Sequence, residues 1–195
     1  MSLKNSVERW GHVSQLLHWL IVVLIVVMAY LGLTMTDLAN SPHKIRVYDL
    51  HKSIGLSILV LVALRLLWRA YAGAPRTLPG VPPWQARVAA FTHGALYALL
   101  FAVPLSGWVL NSAAGFPLRW FNLFKLPAIA GKNEALDTLA TQWHQVLFWT
   151  LIVLTLAHAA AAIYHHLFQR DATLARMLPR NWLRIQTHDQ ESPHV

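Results

Sequence analysis

Apolar and polar positions along this chain do not alternate; they segregate. Four long, nearly uninterrupted apolar runs lie at about 12–35, 48–72, 88–111 and 143–168, separated by more polar stretches. Each is long enough to supply the ~20 helical residues that cross a hydrocarbon layer of ~30 Å. None has the period-two alternation of a half-buried strand. The pattern predicts an all-α fold: an integral membrane four-helix bundle over residues 1–180, followed by a tail at 181–195. The connections are a short polar loop from Thr36 to Val47, a Pro- and Gly-containing loop from Gly73 to Arg87, and a long loop from Asn111 to Gln142. The first run follows a basic start, as a secretory signal does. Its stretch from Leu16 to Leu33 is longer than a signal core, however, and no small-x-small cleavage site follows. Pro104 falls inside the third run, where neighbouring helices can satisfy the carbonyl it frees.

Composition strengthens the membrane reading, with 56% hydrophobic and only 12% charged residues. The net charge of +8 raises nucleic acid as a partner, but the basic residues are scattered around apolar runs and form no stripe, so no nucleic-acid binding is expected. Trial placement of the amino terminus in the cytoplasm puts ten Lys and Arg inside and six outside, namely Lys44, Arg46, Lys52, Arg119, Lys125 and Lys132. That bias predicts cytoplasmic positions for both termini and the tail. Cysteine is absent, which excludes iron–sulfur clusters, disulfides, thiolate catalysis and the thioether attachment of c-type haem. Any haem would be held non-covalently, and the eleven histidines are the obvious ligands.

Two imidazoles can share one haem iron only if their helices face each other and the rings lie at one depth. His18, two turns into the first helix, and His158, in the inner half of the fourth, meet that condition. His51 and His144, at the outer starts of the second and fourth helices, meet it as well. The two histidines of the fourth run are fourteen residues apart, about 40° short of four full turns and ~21 Å along the axis, so they point to nearly the same face. Two stacked haems, one near each membrane surface, would follow. Small residues at Ala157 to Ala162 allow close approach to a flat macrocycle, or simply tight helix packing. Any single intramembrane histidine can be a mere interhelical hydrogen-bonding group; four that pair by depth are harder to account for that way, because each ionisable group carries a cost.

His12 and His93, near the inner ends of the first and third helices, could bond a haem propionate or face the interface. His165 is the rival for the inner ligand, though it and His166 read as inner-surface residues. His43, His188 and His194 fall in loop or tail without a nameable partner. Arg65 stands fourteen residues after His51, near the depth of the inner site, and could pair with a propionate, as could Arg69; snorkelling to the interface is the plain alternative.

The residues that resemble a known family are Leu17-His18-Trp19-Leu20, His51-Lys52-Ser53-Ile54-Gly55, Trp143-His144 and Leu156-Ala157-His158-Ala159-Ala160. Tyr164-His165-His166, Arg170-Asp171 and Met177-Leu178-Pro179-Arg180 extend the likeness, which covers nearly the whole chain. Together they resemble the bacterial cytochrome b561 family of small di-haem proteins of the inner membrane. The resemblance implies two b-type haems with His18 and His158 as one pair of axial ligands and His51 and His144 as the other. It also implies electron exchange with quinone in the bilayer, and in one branch superoxide oxidation coupled to ubiquinone reduction.

A superoxide oxidase would need cations near the outer haem to attract a small anion. The six outer cations suit that role, with Lys52 beside His51 the strongest candidate, although loop charges are often only solvated. The apolar and basic stretch from Phe116 to Leu126 could line a quinone entrance or serve as an interface anchor. Two alternatives stand beside this reading. One is a cytochrome b subunit that anchors a dehydrogenase or hydrogenase, its partner being a redox protein. The other, more remote, is a non-haem metal transporter, for which the broken helices and polar pathway are not evident. No proton donor for quinone can be named from the sequence, since the runs hold no carboxylate except near their ends, such as Asp49.

Overall fold

A computed structural model describes residues 3–179 and residue 182. Most of the predicted tail, with Arg180, Arg184, His188 and His194, lies outside the described residues. Four helices carry the fold: α1 (His12–Thr34), α2 (Pro42–Ala72), α3 (Pro83–Ala113) and α4 (Glu134–Tyr164), the last continuing into one π-helical turn, His165–Gln169. All four are long and apolar enough to cross a membrane, and the chain is a multi-pass membrane protein. A short antiparallel hairpin, β1 (Leu118–Trp120) and β2 (Phe124–Leu126), interrupts the loop between α3 and α4.

Three helices start well before their apolar runs. Ser41 accepts a hydrogen bond from Lys44 N (3.3 Å) and Pro42 follows it, an N-cap followed by a first-turn proline. Asn133 accepts from Leu136 N (2.9 Å), and Glu134 and Asp137 complement the positive end of α4. Pro83 opens α3. Hydropathy marks the part of a helix that lies in lipid, whereas capping chemistry marks where the helix begins. His43, expected in a loop, is consequently in the first turn of α2. His51 and His144 stand more than two turns inside their helices rather than at the starts.

The buried core is Ile21, Ile58, Val62, Leu100 and Leu151, with Leu24, Ile25, Met28 and Phe101 packed around it. Leu151 is seven residues from both His144 and His158, so apolar packing separates the two histidine levels. Leu16, Val23, Val26, Val60, Leu67, Val153 and Leu156 are exposed on the outside of the bundle, as lipid-facing positions are.

The two described chain ends are tied together at one end of the bundle. Arg9 donates to the carbonyls of Ala175 (2.7 Å) and Leu178 (2.9 Å), Trp19 Nε1 to Met177 O (2.8 Å), and Arg176 to the carbonyls of Glu8 and Arg76. Asn5 adds a bond to Gly73 O (2.7 Å) at the end of α2. This cap closes the end nearest His18 and His158.

Candidate functional site

The extensive helix contacts are α3 with α4, α1 with α2, and α2 with α3; neither α1 with α4 nor α2 with α4 is among them. The helices that carry the paired histidines therefore face each other across a gap. Into that gap point His18 and His158, with ring centres 6.5 Å apart, and His51 and His144, 6.4 Å apart. Two metal–imidazole bonds of ~2 Å, with ~1.1 Å from each ring centre to its nitrogen, set the centres of two axial imidazoles about 6.3 Å apart. Both pairs have that spacing. Among the described residues no three His, Cys, Asp or Glu side chains cluster as metal ligands. Each pair could hold one haem iron between its two imidazoles.

The pair His51–His144, outer in the expected topology, is built in detail. His144 Nδ1 lies 3.0 Å from Val103 O and 2.9 Å from Ser106 Oγ. Donation from Nδ1–H to the carbonyl fixes the tautomer and leaves the Nε2 lone pair for a metal, the usual arrangement behind a ligating histidine. Two glycines face the two rings. A Cβ on Gly32 would lie 3.3 Å from His51 Cε1, and one on Gly107 would lie 3.2 Å from His144 Cε1. The cavity at this level has a volume of about 900 Å³, near the upper end of the ~300–1,000 Å³ of cofactor and ligand sites. Met28, Tyr48, Asn111 and Phe148 contribute to its wall, and Lys44 and Lys52 stand at it. Lys52 Nζ is 2.8 Å from Asp49, so its charge is partly balanced.

At the inner level a third ring joins the pair, His93 of α3, whose centre is 5.2 Å from that of His158. Arg65 donates from Nη1 to Ser14 O (3.0 Å) and from Nε to Tyr97 OH (3.1 Å), binding α1, α2 and α3 together beside the three histidines. Arg69 lies instead over the Trp10 ring, 5.8 Å from its centre. His165 is engaged elsewhere: its Nδ1 is 2.6 Å from Asp171 Oδ2, beyond the π turn and the left-handed Arg170 (φ 51°). Asp171 also accepts from Thr173 N (2.8 Å). Burial pushes the Asp171 carboxyl up, but the hydrogen bonds from Thr173 and His165 outweigh it and hold the group below its ordinary range.

Sequence reasoning missed Gly32, Gly107 and Ser106, and it placed Asp171 in the family likeness without giving it a role. The glycines left a signal, since a glycine inside a helical run generally has a packing reason. Ser106 left none, because its role depends on a contact across helices, and the contact of Asp171 with His165 forms only around the turn between them.

Known proteins resemble the chain over nearly its whole length. The chain is 36% identical over 184 residues to cytochrome b561 homolog 2 of Escherichia coli, covering 93% of this chain and 97% of the relative. It is 29% identical over 177 residues to cytochrome b561 homolog 1 of the same organism, covering 89% and 98%. It is 29% identical over 164 residues to the probable superoxide oxidase CybB of Yersinia pestis, covering 84% and 92%. The family described as prokaryotic cytochrome b561 matches residues 9–180, a stretch that holds all four paired histidines and most of the cap. With four apolar helices, imidazole pairs spaced for haem iron and this match over nearly its whole length, the chain belongs to the prokaryotic cytochrome b561 family of membrane b-type cytochromes.

Proposed function

We propose that this protein is a di-haem superoxide:ubiquinone oxidoreductase of the bacterial inner membrane, with both termini cytoplasmic. His18 and His158 would hold one b-type haem, and His51 and His144 the other. The observation that carries this reading is the pair of ring separations, 6.5 Å and 6.4 Å, across helices that do not pack closely on each other. When bound, each haem supplies a one-electron couple. In the net reaction two superoxide anions each lose one electron and leave as dioxygen, while quinone gains two electrons and two protons and becomes quinol.

The chain's own residues provide binding, charge and protons. Lys44 and Lys52 at the outer cavity favour the arrival of a small anion, Lys52 more weakly because of Asp49. Arg65 is the cation for a propionate at the inner level. The related probable superoxide oxidase supports the choice of donor. For the proton, the support is the His165–Asp171 pair. His165 is seven residues after His158, about 20° short of two turns, hence on the same helix face and ~10 Å nearer the cap. Imidazole can pass a proton to a quinone oxygen, and Asp171, whose carboxylate is held ionised, orients the ring through Nδ1.

The test is haem content per chain with reduced-minus-oxidised spectra, on wild type and on His18→Ala, His51→Ala, His144→Ala and His158→Ala. Two b haems are expected in wild type, and the two variants of each pair should lose the same one. Superoxide consumption should then depend on added ubiquinone. Losses that ignore the pairs would refute the ligand assignment. Two haems without superoxide activity, together with copurification of a dehydrogenase, would replace the enzyme by a cytochrome b subunit.

A further inference from the structure

The hairpin β1–β2 is the part of the chain that the haem reading uses least. Its register pairs Leu118 with Leu126, Arg119 with Lys125 and Trp120 with Phe124. Side chains alternate across a ribbon, so the two apolar pairs share one face and the two cations share the other. The β1 side of the apolar face is held against α2: Leu118 is buried, and Trp120 Nε1 donates to Ser57 Oγ (3.0 Å). Phe121 N donates to the buried Ser53 Oγ (2.9 Å), which itself donates to Asp49 O (2.7 Å).

Arg119 and Lys125 are both exposed, and among the described residues neither has a carboxylate partner. Like charges directly opposite each other destabilise a ribbon. The tip adds strain, since Phe121 (φ 45°) and Asn122 (φ 59°) both occupy the left-handed region, which phenylalanine seldom adopts. Depth supplies the remaining clue. Ser53 lies within the first two turns of the apolar run at 48–72, which sets the hairpin near the membrane interface. Phe121, Leu123 and Phe124 are exposed there, so aromatic groups and paired cations meet at the headgroup level.

We propose that Arg119 and Lys125 form a binding site for the phosphate of an anionic phospholipid, with Phe121, Leu123 and Phe124 seated in the adjoining acyl region. A phosphate between the two cations removes their repulsion, and the Arg119 guanidinium can meet two of its oxygens. The inference does not depend on the haem or superoxide reading, so either can fail without the other.

The experiment titrates haem-loaded protein in detergent with phosphatidylglycerol and follows bound lipid by native mass spectrometry. The double variant Arg119→Gln/Lys125→Gln should bind the first lipid about twenty-fivefold more weakly, roughly fivefold for each lost cation. The charge-matched Arg46→Gln/Lys132→Gln should bind as wild type does. Arg119→Glu should also lose the lipid, although attraction across the strands to Lys125 keeps the hairpin formed. Phosphatidylcholine should bind wild type no better than it binds the double variant. Unchanged affinity in the hairpin variants, an equal loss in the charge-matched pair, or displacement of the lipid by an equal concentration of inorganic phosphate would overturn the assignment.

Discussion

Replacing Gly107 tests whether the outer level is shaped around a ligated imidazole. A Cβ there would stand 3.2 Å from His144 Cε1 and 3.5 Å from Nδ1, whereas carbon atoms in good contact lie ~3.5–4.0 Å apart. The ring must therefore retreat by roughly 0.3 Å or more. It has little freedom to do so, because Nδ1 is held by Val103 O at 3.0 Å and Ser106 Oγ at 2.9 Å. Overpacking of this kind costs about 1–3 kcal/mol, against a gain of ~0.8–1.0 kcal/mol when a mid-helix glycine becomes alanine. For Gly107→Ala the difference leaves a net cost of about 0–2 kcal/mol, expressed as easier loss of the outer haem on heating and a shifted potential for that haem alone. Gly107→Leu adds atoms that cannot be accommodated, and it should abolish the outer haem while the inner one survives. Spectra of the purified variants, with potentiometric titration and haem retention against temperature, measure all of this. Gly107→Leu with two haems at wild-type potentials would refute the reasoning, as would loss of the inner haem first.

Other outcomes follow from the same contacts. Ser106→Ala removes one of the two partners of His144 Nδ1 but leaves Val103 O, so both haems should remain, with the outer potential shifted in redox titration. Arg65→Gln breaks a side-chain link between α1, α2 and α3 and should weaken retention of the inner haem more than the outer, read from the difference spectrum after heating. Asp171→Asn should lower quinone reduction severalfold while superoxide still reduces the haems, as seen by stopped-flow absorbance. Because hydrogen bonds hold the Asp171 carboxyl below its ordinary value, the stability it gives the cap is fully present above the unfolded value of ~3.9. That stability is lost as pH falls through the lower folded value. Hydrogen exchange of residues 165–178 should show this acid step in wild type and not in Asp171→Asn.

The four spans and the pairing of His18 with His158 and His51 with His144 could be read from the sequence because both depend on one-dimensional quantities, apolar length and depth along a helix. Helix starts could not be read from hydropathy. The extra turns of α2 and α4 come from Ser41 and Asn133, polar residues that look like loop. The hairpin was hidden for a similar reason: Leu118 to Leu126 is too short for a clear period, and its closure relies on hydrogen bonds to Ser53 and Ser57, over sixty residues away. His93 and His165 were both recognised as secondary candidates. What separated them was lateral position, a quantity that spacing does not encode. His93 faces the inner pair, while His165 turns to Asp171.

The helix without a proposed haem ligand does as much to build the outer site as those with one. Val103, Pro104, Ser106 and Gly107 are nearly consecutive on α3. Proline 104 cannot donate to the carbonyl four residues before it, a local weakening that a helix in lipid tolerates only where protein covers it. Here that carbonyl belongs to the buried Leu100, on a helix that packs extensively against α4. Val103 O receives His144 Nδ1–H, Ser106 Oγ lies 2.9 Å from the same nitrogen while its own hydroxyl donates to Val103 O, and Gly107 leaves room for the ring edge. One turn of α3 thus sets the orientation, tautomer and clearance of a histidine that belongs to another helix. At the inner level α3 contributes His93 and Tyr97, one beside His158 and the other bonded to Arg65. Redox tuning of either level by substitutions on α3, without change in the axial histidines, follows from that arrangement.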